Sequence, residues 1–95
     1  MNSKSTNKAL YQRADHRECI ERISQLSHPT PEQEDELICS AILLLHQGDT
    51  VVYPPGFGLT TILNAAIKAG MVIEVLGKAG ARGYILRQVN WVSPV

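Results

Sequence analysis

The chain has 95 residues, 44% of them hydrophobic and 19% charged, the composition of one compact domain rather than of two domains or a disordered tail. Nine Lys and Arg balance nine Asp and Glu, so the net charge of zero gives no global argument for a nucleic-acid or membrane partner. Two cysteines are too few for a disulfide scaffold, no signal segment opens the chain, and the longest apolar run, Ala41 to Leu45, is five residues; a soluble cytoplasmic protein without membrane association is expected.

Residues 1–8, rich in Asn, Ser, Thr and Lys, read as a flexible leader to a single domain over residues 9–95. Asp15 and Glu18 have the spacing of a capping box, which predicts a helix start there, with His16, Cys19, Ile20, Ile23 and Leu26 on one apolar stripe. Leu10, Tyr11 and Ala14 point to a different side, so a helical start near Lys8 would need a second contact surface, such as a dimer partner, or a turn before Asp15. His28-Pro29 closes this helix, because the residue before proline is pushed out of the α region. Thr30-Pro31-Glu32-Gln33 opens the next, with Thr at N-cap, Pro at N1, Gln at N3 and acids facing the positive end of the helix dipole. That helix should run to about Gln47, stop at Gly48 and pack antiparallel to the first as the central core element.

Residues 50–53 form a short β-prone run cut off by Pro54-Pro55, followed by a turn at Gly56-Phe57-Gly58. Ile62, Leu63, Ala66 and Ile67 then set up a third, short helix over 61–69, its outward face carrying Thr61, Asn64, Ala65 and Lys68. Met71 to Leu76 and Tyr84 to Val89 read as the strands of a C-terminal β-hairpin with a glycine-rich tip over 77–83. Trp91, near the C-terminus, is of the kind that docks on a core edge or a second subunit. The expected fold class is α+β: a helical pair, a third short helix and a C-terminal hairpin.

Charge divides unevenly along this order. Residues 1–49 hold five cations against eight acids, a net −3, whereas residues 50–95 hold Lys68, Lys78, Arg82 and Arg87 against Glu74 alone, a net +3. Such asymmetry points to a polyanion-facing second half, provided its cations converge.

The last forty residues, with Ala69-Gly70-Met71-Val72 closing the third helix and Gly83-Tyr84-Ile85-Leu86-Arg87 returning from the basic tip, resemble a winged-helix DNA-binding domain over roughly residues 31–89. The chain departs from that pattern at Pro54 to Gly58, a tight loop where the family has a short helix before the recognition helix. The resemblance implies a small DNA-binding regulator of transcription or of a mobile element, with helix 61–69 in the major groove and the tip on the backbone.

Six residues carry that expectation. Asn64 can pair with adenine and Lys68 with guanine or phosphate; Lys78 and Arg82, separated by small residues, can approach phosphates or a minor groove; Thr60 and Thr61 at a helix N-terminus can hold a phosphate. Each also has a plainer reading, respectively a solvated helix face, edge charges on a soluble turn, and a simple N-cap.

Other constellations are weaker. His16, Cys19, Cys39 and His46 lack the tight cysteine knuckles of a structural zinc site and read more economically as two buried cysteines on facing helices with a histidine near a helix C-terminus. The Gly56-Phe57-Gly58-Leu59-Thr60-Thr61 segment lacks the lysine of a phosphate loop and the third glycine of a dinucleotide site. Cys19 with a histidine is the one nucleophile–base pair on offer, and a buried thiol is inert. No enzyme, cofactor or metal is expected. The partners expected are double-stranded DNA and a second copy in a homodimer, suggested by the small core. The competing class is a non-enzymatic adaptor or inhibitor of phage or plasmid accessory type that docks on a larger host protein, favoured by the zero net charge and the acidic start of the second helix.

Overall fold

The computed structural model describes the backbone of residues 3–89 and the side chains of residues 14–89; the expectations for Leu10, Tyr11, Trp91 and the C-terminal tail lie outside the described side chains. The elements run α1 (Ser3–Ser24), α2 (Pro31–His46), β1 (Val51–Tyr53), a 3₁₀ turn (Pro55–Phe57), α3 (Leu59–Lys68), β2 (Ile73–Lys78), a second 3₁₀ turn (Gly80–Arg82) and β3 (Tyr84–Gln88). The α+β class is as expected: three helices and a three-stranded antiparallel sheet of order β1-β3-β2, a layout compatible with a winged helix. One 3₁₀ turn stands where the winged-helix pattern has a short helix.

Two expectations about α1 are corrected. The helix does not begin at Asp15 but runs through it from Ser3, inside the stretch expected as a leader. The reason is local: no proline or glycine occurs before Pro29, and Ala9, Leu10, Gln12, Arg13 and Ala14 are good helix formers, so nothing upstream forces a start. The helix also ends at Ser24, four residues before His28, with Gln25 and Leu26 tightened into i−3 hydrogen bonds to Arg22 and Ile23. Of the expected stripe, Cys19, Ile20 and Ile23 are buried, His16 is half-buried, and Leu26 lies beyond the helix and is exposed.

The start of α2 follows the sequence closely. The Thr30 hydroxyl accepts from the Gln33 amide at 3.1 Å, and the Gln33 side chain accepts from the Thr30 amide at 2.9 Å, a complete capping box followed by Pro31 at N1. Its end is a Schellman cap: Asp49 N–H donates to the Leu44 carbonyl while Gly48 takes φ +93°. The α1–α2 pair is antiparallel, with His16 Nδ1 3.1 Å from Ser40 Oγ and Arg22 3.5 Å from Glu36.

The core joins all layers: Cys19, Ile20 and Ile23 from α1, Leu37, Ala41, Leu44 and Leu45 from α2, Val51 and Tyr53 from β1, Ile62 and Ala66 from α3, and Met71, Ile73 and Leu86 from the hairpin. Cys39 is exposed, which corrects the expectation of two buried cysteines on facing helices; Cys19 alone behaves as a small core hydrophobe.

Sheet edges are handled differently on the two sides. Just before β1, Arg17 of α1 reaches the Thr50 carbonyl at 3.4 Å and the Asp49 carboxylate at 3.6 Å, which ties α1 to the entry of this edge strand. The other edge, β2, has no further strand paired to it among the described residues; it carries a bulge between Val75 and Gly77 and ends on Lys78, two devices that discourage pairing with another chain.

Candidate nucleic-acid interface

The end of α3 is set by Gly70, which takes φ +81° while Met71 N–H donates to the Ala66 carbonyl at 3.0 Å. This Schellman cap seats Met71 in the core and fixes the helix against the hairpin. At its start the N-cap is Gly58, with no side-chain cap, so Thr60 and Thr61 are not capping residues, and both are exposed in the first turn. The plainer reading of these two threonines is thereby corrected.

Ile62 and Ala66 are fully buried, with Leu59 and Leu63 packed beside them. At about 100° per residue, this inward side leaves Thr60, Thr61, Asn64, Ile67 and Lys68 on one continuous outward face, and all five are exposed. Ile67 was expected among the core-forming residues, yet 66% of its surface is open; Ala65, expected outside, is half-buried. The signal that could have found Ile67 was present. With Leu59, Ile62 and Ala66 defining the buried arc, Ile67 falls a full helical step beyond Ala66, on the side of Asn64 and Lys68.

The cations of the second half divide. Cross-strand partners share a sheet face, so the register Lys78↔Tyr84, two residues from buried Leu86, places Lys78 on the helix-covered face. There its ammonium lies 5.6 Å from the centre of the Tyr84 ring, a cation–π contact. Arg87 is on the opposite face, 3.0 Å from Glu74 across the strands, and its charge is offset there. Arg82, in the 3₁₀ turn at the tip, lines a groove with Glu21 and Ser24 of α1, Gln25 just beyond it, and Pro54 and Pro55 before α3. Thus Thr60, Thr61, Asn64 and Lys68 share the face of α3, Lys78 lies at the end of β2 on the helix side, and Arg82 sits by α1 near an acid.

Tyr53 underlies this region. Its ring is fully buried and meets Phe57 edge-on at 6.4 Å, tying β1 to the turn that precedes α3. Its hydroxyl has no hydrogen-bond partner among the described residues. Burial, and secondarily the charge of Glu34, push its phenol up to about 12.

Among the described residues no group of three or more His, Cys, Asp or Glu side chains is placed to hold a metal ion, and no helix is long and apolar enough to cross a membrane. No protein-family model, curated protein or solved structure matches this chain.

Proposed function

We propose that this protein binds double-stranded DNA, with the outward face of α3 entering the major groove and the hairpin tip approaching the backbone. The observation that carries the reading is the composition of that face: Thr60, Thr61, Asn64 and Lys68 are exposed together on a helix whose ten residues contain no acid. Asn offers a paired donor and acceptor to adenine, Thr a hydroxyl and a methyl, and Lys a cation for guanine or phosphate. Lys78 and Arg82 supply further cations for the phosphate backbone, which carries most of the affinity in such complexes. A homodimer would present two such faces to a palindromic site, and sedimentation of the free chain tests that part of the reading.

The test is fluorescence anisotropy with a mixed-sequence duplex at about 50 and about 200 mM salt, on the wild type and on Lys78→Ala/Arg82→Ala. Binding that falls steeply with salt, with a log–log slope reduced by up to about two in the variant, supports the reading. Absence of binding at the lower salt overturns it.

A second reading, a protein-docking adaptor, is favoured by large apolar side chains left exposed on α3 (Ile67), just before β2 (Val72) and along β2 (Val75 and Leu76). Co-purification with a host protein that Ile67→Asp abolishes, together with no salt-dependent DNA binding, would favour that reading.

A further inference from the structure

From the exposed Ile67 on a face otherwise made of hydrogen-bonding side chains, we infer that α3 reads a thymine methyl group beside the base pair addressed by Asn64, so that the DNA element recognised contains adenine and thymine at neighbouring positions. The inference rests on the DNA reading above and adds to it a residue and a base.

Ile67 is 66% exposed, whereas Ile62 and Ala66 of the same helix are fully enclosed. It stands three residues after Asn64 and one before Lys68, at the edge of the outward face nearest Leu63, on a helix that contains no acid. In the major groove, the one apolar feature that distinguishes a base pair is the C5-methyl group of thymine, and a branched aliphatic side chain is its natural contact. Spacing agrees with neighbouring pairs: three residues along a helix advance about 4.5 Å, between one and two base steps of about 3.4 Å. Thr61, a further turn toward the N-terminus on the same face, has a methyl and a hydroxyl for an adjoining base. DNA fits this face because exposed Lys68 stands on it, α3 contains no acid, and the Ile67 side chain is flanked by donors and acceptors. A hydrophobic protein groove would leave Asn64 and the two threonines facing apolar walls without partners.

The experiment uses the full chain. A randomised duplex pool is selected for binding, and the recovered duplex is then resynthesised with deoxyuridine in place of each thymidine in turn, which removes only the methyl group. The expected result is recovery of sites holding adenine and thymine at neighbouring positions, and one thymidine whose replacement weakens wild-type binding about fourfold, the effect of one buried methyl group. Ile67→Ala should bind the two duplexes equally, Ile67→Val should keep most of the discrimination, and Asn64→Ala should still distinguish thymidine from deoxyuridine. Circular dichroism of Ile67→Ala should match the wild type, since an exposed helical position tolerates alanine. The inference is overturned, with the DNA reading intact, when duplexes bind but no thymidine replacement weakens binding, or when Ile67→Ala retains the discrimination. Loss of salt-dependent binding to every duplex overturns both.

Discussion

Gly83 and Tyr53 meet backbone to backbone: a Cβ on Gly83 would stand 1.9 Å from the Tyr53 carbonyl oxygen, and Gly83 itself takes φ +127°. The return from the hairpin tip is therefore clamped against the end of β1, where the chain turns through Pro54 toward α3. Replacing Gly83 by alanine adds both a clash that no side chain can relieve and a strained dihedral, and we expect a loss of about 3 kcal/mol or more. Gly77, in β2, has an ordinary φ and open space around its Cβ position. Gly77→Ala should stay within about 1 kcal/mol of the wild type, and urea denaturation of the pair separates the two cases.

Tyr53→Phe should leave stability unchanged or raise it by up to about 1 kcal/mol, since the hydroxyl it removes is buried and unpartnered among the described residues. The same substitution reports on pH. Because the folded phenol is pushed up to about 12, above its ordinary value, the folded state holds the proton more tightly than the unfolded chain. That contribution is fully present below pH 10 and is lost as pH rises toward about 12. Denaturation midpoints of wild type and Tyr53→Phe should diverge over that window, the wild type falling faster; parallel curves would contradict the assignment.

Thr30→Ala should cost about 1 kcal/mol by stranding the Gln33 amide at the start of α2, and Gln33→Ala less, since the Thr30 hydroxyl would remain in place. Thermal unfolding measures both. The Arg22–Glu36 pair, 3.5 Å apart with both side chains more than half exposed, should contribute much less than the cap, and adding salt to the same melt should move it little.

Asn64→Ala and Lys68→Ala should differ in kind on DNA. Loss of the amide should relax preference at one base pair, a discrimination of about 1–3 kcal/mol, whereas loss of the ammonium should weaken all duplexes alike and lower the salt slope by about one. Competition binding with matched and single-mismatch duplexes distinguishes them. Equal loss on every sequence after Asn64→Ala would remove its role in base reading.

The elements that the sequence determined by itself are those written in local chemistry. Thr30-Pro31-Glu32-Gln33 specifies a helix start because every bond of the capping box lies within four residues, and Gly48 and Gly70 mark helix ends because a left-handed cap needs no distant partner. The α+β class, the short first strand and the hairpin were legible for the same reason, as were Asn64 and Lys68 on an outward helix face. Asp15 and Glu18 show the limit: the same capping pattern sets no boundary when the residues before it are willing helix formers. Tertiary packing alone decided three further things. It chose which arc of α3 is buried and so left Ile67 outside; it paired Arg87 with Glu74 and turned Arg82 toward α1; and it pressed Gly83 onto Tyr53 across thirty residues of chain. Each depends on contacts between segments far apart in sequence, where a helical period or a glycine says that a face or a turn exists but not what will lie against it.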